Sequence, residues 1–263
     1  ENASSDSILP EIVLVKDVKD DRFDGVIVVT DSEEHLPTAL HSSQSTITEY
    51  LKHDAAAKTS QPAVILCPEL PSHRLIYAPT GPVTRDYDDV RRYGEAATNG
   101  LKRALSAGCK APLLVCPTHD RYPLAARVTA LGALHAAYVP LEVREARPHK
   151  AQKVSKLGFL LPSATEAELG LLLALEAGRT VCRDIGGSDP ERMAAPGIAE
   201  YVENTFRNTC IKVNVISDLS VMEKEYPLLA AVNRASRNVA RHAPRVIHLE
   251  YVGEGTVDTT LML

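Results

Sequence analysis

His248 and Glu250 stand two apart in the apolar stretch Arg245–Val252. On a strand that spacing sends both side chains to one face, where an imidazole and a carboxylate serve as a metal pair or an acid/base pair. Ile247, Leu249 and Tyr251 take the opposite face. The simpler reading is therefore a polar sheet face whose His and Glu hydrogen-bond a neighbouring helix. Gly186-Gly187-Ser188-Asp189-Pro190 offers backbone N–H groups that suit an anion ahead of a helix opened by Pro196, and the same residues also punctuate an ordinary interhelix turn. Asp218 with Glu223, Lys224 and Glu225 is rich enough in carboxylate for a divalent cation. Consecutive helical residues point in different directions, so a solvated first turn is expected. Arg85, Asp86, Asp88, Asp89, Arg91 and Arg92 read as mixed-sign surface ion pairs at a helix start.

The motifs of four large enzyme classes are missing. The chain has no GxxxxGK[ST] loop for a triphosphate, no GxGxxG after a strand, no GxSxG nucleophile elbow and no HExxH helix. Its cysteines, Cys67, Cys109, Cys116, Cys182 and Cys210, are odd in number and lack CxxC spacing, which excludes a disulfide framework or zinc knuckle and fits a reducing compartment. Cys182 and Cys210 have no His placed to activate them and are expected in the core.

The elements that must position these residues alternate between short β-branched runs and longer helical patterns, as in parallel sheets crossed by helices. Strands are predicted at Ile12–Val18, Gly25–Thr30, Ala63–Pro68, Arg74–Ala78, Leu113–Pro117, Val154–Leu161, Ile211–Ser217, Arg245–Val252 and Thr259–Leu263. Val26–Val29 and Leu113–Cys116 have no polar face, which implies cover on both sides. Helices are predicted over Asp86–Ala107, stopped by Gly108, over Tyr122–Tyr138, ended by Pro140, and from Pro196 to Phe206. A helix plus a surface connection is expected within Asp31–Gln61. Ser163-Ala164-Thr165-Glu166 reads as a capping box opening a Leu-rich helix through Val181, and Ser220-Val221-Met222-Glu223 as a second box.

With 263 residues, 44 % hydrophobic and 24 % charged, the chain is globular and large enough for two domains. The boundary is expected near Pro162, giving domains 1–162 and 163–263. Twenty-nine Lys and Arg against 34 Asp and Glu leave a formal charge of −5, which gives no basis for gripping a phosphate backbone. No apolar run spans a bilayer and no secretory signal opens the chain, so neither nucleic acid nor membrane is expected as a partner and the expected location is the cytoplasm.

Arg183–Glu203, RDIGGSDPERMAAPGIAEYVE, resembles the segment that opens the catalytic domain of leucyl aminopeptidases, with Arg183, Asp184, Ile185, Pro190, Pro196 and Ala199 at similar places. Tyr226–Tyr251 resembles that family's helix, loop and HLEY-like strand, closest in wording to the animal branch called probable aminopeptidase-like proteins. The resemblance is clear over Lys156–Leu263 and rests on the order of elements over Ile12–Pro148. It implies an α/β fold: a smaller macro-like N-terminal domain, then the beginning of a metallo-exopeptidase domain. Gly186 and Gly187 replace a family Asn, and Asn233–Ser236 departs from the usual Gly-Ser ending of its helix.

By the same resemblance, the metal-binding Lys and carboxylates and the catalytic Lys and Arg belong after the strand equivalent to Thr260–Leu263. Val252–Thr259 echoes the metal-binding segment, but carries Glu254 at the lysine position and lacks the closing Gly-Gly, and so reads as a turn. No catalytic, cofactor-binding or metal residue is therefore assigned to this chain. The resemblance implies two divalent ions, Zn or Mn, in the complete protein and none held here, together with a peptide substrate and a homohexamer. This segment then serves structure and assembly and is inactive alone. The apolar TTLML ending is consistent with an incomplete chain. The alternative function is a non-catalytic scaffold that kept the fold. A macro-type ligand module is a third reading, weakened by the absence of a glycine-rich phosphate loop in Ile12–Pro148.

Overall fold

The computed structural model describes residues 9–163, 165–257 and 259. It separates into two compact units, Glu1–Cys182 and Arg183–Leu263, the division falling within one long helix.

The first unit contains strands β1 (Glu11–Leu14) and β2 (Gly25–Thr30), helix α1 (Gln44–His53), strands β3 (Ala63–Leu66) and β4 (Arg74–Pro79), helix α2 (Arg91–Ser106), strand β5 (Pro112–Val115), helices α3 (Ala125–Ala137) and α4 (Leu141–Ala146), and strand β6 (Lys156–Leu160). Helix α5 (Glu166–Gly187) follows. The strands form one sheet in the order β1-β6-β5-β2-β4-β3, parallel throughout except for the β3–β4 pair.

Every residue of β2 and β5 is buried, as their unbroken apolar runs require. Alternate residues feed opposite cores. Ile27, Val29, Ile76, Leu114 and Phe159 pack with α2, α3 and Leu172 of α5. Val26, Val28, Tyr77, Leu113 and Val115 pack with Ile47 and Leu51 of α1. Each such side chain contributes about 1.5–3 kcal/mol by leaving water. Helices α2 and α3 meet backbone to backbone, since a Cβ on Gly132 would overlap the Gly94 backbone.

Several local details differ from the sequence reading. The β3–β4 hairpin is antiparallel and turns through His73, whose φ of 51° lies in the left-handed region. Helix α2 begins at Arg91, not Asp86, because Asp88 ties the preceding residues into a turn by accepting from the Arg85 backbone N–H at 3.0 Å. Its end is as expected. Gly108 at φ 88° closes a Schellman motif in which Cys109 N–H donates to Ala104 O and Gly108 N–H to Leu105 O, both at 3.0 Å. The cap of α5 is Thr165 rather than Ser163: its Oγ1 accepts from Glu168 N–H at 3.2 Å.

The second unit holds α6 (Ala195–Phe206), β7 (Lys212–Ile216), α7 (Leu219–Glu225), α8 (Pro227–Asn233) and β8 (Val246–Glu250). Strands β7 and β8 pair antiparallel as a two-stranded sheet. The cap of α7 is Asp218, which accepts from Ser220 N–H at 2.8 Å, so the expected Ser220 box is displaced by two residues. The strand expected at Thr259–Leu263 lies outside the described residues, apart from Thr259, which is not in a strand.

Candidate functional site

Each candidate group finds an ordinary partner. Nε2 of His248 lies 3.0 Å from the Tyr226 hydroxyl at the α7–α8 junction, the helix-side bond expected of a polar sheet face. Glu250 pairs with Lys212 across the register at 3.6 Å. Both strand residues are exposed, and neither is part of a metal pair. Gly186 and Gly187 form neither an anion cradle nor a turn; they are the last residues of α5. The turn is made instead by Asp189, whose Oδ1 accepts from Glu191 N–H at 2.8 Å and Arg192 N–H at 2.9 Å. Glu223 pairs with Arg237, and Asp218 serves as a helix cap. A hydrogen bond from the Ser220 hydroxyl holds the Asp218 carboxyl below its ordinary range. In the aminopeptidase-like segment, fully buried Asp184 accepts from the Tyr201 hydroxyl at 2.7 Å, which ties the end of α5 to α6.

Two expectations about burial are corrected. Asp88 is not a surface charge: its side chain is fully buried while Arg85 reaches it at 2.8 Å and Arg92 at 3.3 Å. Hydrogen bonds from Arg85, opposed by desolvation, hold its carboxyl down to about 2. Cys182 and Cys210 are not core residues but exposed thiols, whereas Cys67, Cys109 and Cys116 are buried. Position 182 lies on the outward side of an amphipathic helix, and Cys210 sits in the link before β7.

Sequence reasoning missed a cavity of about 300 Å³ at the carboxyl ends of β5 and β6, between the residues that follow those strands and the first turns of α3 and α5. His119, Asp120, Arg127, Ser163 and Glu168 line it. Carboxyl ends of parallel strands are where α/β folds place ligands, and the strand order alone pointed there. Arg127 donates from Nε at 2.9 Å and Nη2 at 3.0 Å to Glu168, which keeps that carboxyl below its usual range. His119 accepts from Arg121 N–H through Nδ1 at 3.1 Å, and its ring centroid lies 5.0 Å from that of Tyr122. No hydrogen bond among the described residues joins His119 to a nucleophilic hydroxyl or thiol, so the cavity has the shape of a binding cleft without a hydrolytic pair.

A two-metal centre needs several carboxylate or imidazole ligands a few ångströms apart. Among the described residues no group of three or more His, Cys, Asp and Glu could hold a metal ion, so these residues do not fit such a centre. No helix among them is long and apolar enough to cross a membrane.

Comparison with known proteins accords with this architecture. The chain is 44 % identical over 261 residues to a Caenorhabditis elegans protein named "Putative aminopeptidase W07G4.4", covering 96 % of this chain and 50 % of that one. In fold it is similar to a tomato leucine aminopeptidase mutant, with a TM-score of 0.67 at 14 % identity over 94 % of this chain and 51 % of the other. It is also similar to the bottromycin maturation enzyme BotP in complex with Mn, with a TM-score of 0.64 at 15 % identity over 87 % of this chain and 45 % of that one. No family model matches the chain. It spans about half the length of the proteins it matches. The resemblance to the leucyl aminopeptidases thus holds, in sequence to an aminopeptidase relative and in fold to solved members.

Proposed function

We propose that this chain is the N-terminal portion of a two-metal aminopeptidase that removes N-terminal amino acids from peptides, and that it supplies structure and assembly surfaces rather than the catalytic groups. The observation that carries this reading is the 44 % identity over 261 residues to an aminopeptidase relative twice as long. The missing metal-ligand cluster among the described residues is compatible with ligands on the remaining polypeptide. The Mn named with BotP supports a divalent ion, Mn or Zn, as the cofactor of the complete protein. By the same resemblance we propose domains at 1–162 and 163–263, assembly into a homohexamer and a cytoplasmic location.

The test compares two polypeptides on a leucyl peptide with Mn²⁺ or Zn²⁺ present. The 263-residue chain releases no amino acid, whereas the polypeptide extended by the relatives' remaining half does so and loses the activity on chelation. Hydrolysis by the chain alone overturns the reading. An extended polypeptide that is folded and inactive favours the second reading, a non-catalytic scaffold, whose motivating observation is that Gly186 and Gly187 replace a family Asn.

A further inference from the structure

The second unit is built as though part of its core were elsewhere. In β8, Ile247 and Leu249 share a face with Val213 and Val215 of β7, since the register sets Val213 against Leu249 and Val215 against Ile247. That face is apolar, yet Leu249 is 52 % and the following Tyr251 68 % exposed. The opposite face carries Lys212, Asn214, His248 and Glu250. A two-stranded sheet is marginal in water without further strands or a packed layer, and among the described residues each strand has one unpaired edge. Helix α8 repeats the pattern. Leu228 and Val232, one turn apart on the same side, are 83 % and 76 % exposed, and the only buried residue of the helix is Asn233. In the first unit, by contrast, each apolar strand face is covered.

We infer that the Leu249 face of the β7–β8 sheet and the Leu228–Val232 side of α8 are an interface for one occupant: polypeptide equivalent to the half of the Caenorhabditis elegans relative that this chain does not match. The inference rests on the reading above, that the chain is half of an aminopeptidase-type protein. The length of the relatives favours this occupant over a second copy, because the matched proteins carry about as much chain again. The contact takes two forms: a strand added at an open edge of the sheet, and apolar side chains laid over Leu249 and over Leu228 and Val232.

The test co-expresses the tagged 263-residue chain with the untagged remaining half of the Caenorhabditis elegans relative and measures the complex by native mass and affinity. A 1:1 complex is expected. Leu249→Asp and Val232→Asp each weaken it about tenfold or more, whereas Leu66→Asp, at a 74 % exposed position of β3, leaves it unchanged. Circular dichroism checks that each variant remains folded. In a single-chain fusion of the two halves, amide exchange in β8 and α8 slows relative to the isolated chain. Absence of both the complex and the exchange protection overturns the inference, as does a complex indifferent to both interface variants. A homodimer of the chain that Leu249→Asp and Val232→Asp abolish assigns the face to a second copy and also overturns it. A 1:1 complex without peptidase activity leaves the interface standing and counts instead against the catalytic reading.

Discussion

At the scale of single residues, charge and thiol placement make the sharpest statements. Asp88 has its carboxyl lowered to about 2, so its contribution to stability is present above the ordinary carboxylate value of 3.8 and is lost as pH falls towards 2. Asp88→Asn should lower stability at neutral pH and flatten the acid limb between those values, as read by urea midpoints at stepped pH. Ellman titration of the native chain should find two reactive thiols, Cys182 and Cys210, and three more only after denaturation. Gly186 lies within α5, and a methyl group added to its Cα would meet nothing within 4 Å, so Gly186→Ala should raise stability by about 0.5–1 kcal/mol in urea unfolding. Neither the burial of Asp88 nor the exposure of the two cysteines was legible in the sequence. Arg85, Asp88 and Arg92 have the spacing of any solvated helix start, and the apolar neighbours of Cys182 belong to a helix with an open side.

At the scale of elements, strands were more legible than caps. Val26–Val29 and Leu113–Cys116 could be read as doubly covered because a strand with water on one side does not spend every position on apolar residues. Caps slipped by two residues at α5 and α7, because Ser163 and Thr165, and likewise Asp218 and Ser220, are chemically competent neighbours and only local geometry selects between them. Thr165→Ala should therefore cost about 1 kcal/mol in urea unfolding while Ser163→Ala costs little. The antiparallel sense of β3 was not legible either, since it depends on its pairing with β4 and not on its own composition. The α2–α3 contact is less forgiving. Gly132→Ala forces the two backbones apart and should destabilise the first unit by about 1–3 kcal/mol, measured by thermal unfolding.

At the scale of the whole molecule, the resemblance carried by Arg183–Glu203 and Tyr226–Tyr251 pointed to the relatives, yet those segments hold helix ends and polar bridges. Asp184 bonds Tyr201 and His248 bonds Tyr226. A family signature can thus mark scaffolding, and the cavity by His119 went unread because it is assembled from loops distant in sequence.

The pairing of β1 with β6 sets Glu11 against Lys156, at nearly opposite ends of the first unit's sequence. During synthesis the earliest strand therefore emerges long before its neighbour, a wait of roughly ten to thirty seconds at ordinary translation speeds. The interior strands β2, β4 and β5 complete their ladder in that interval, and β1 docks last, as a latch on a sheet already formed.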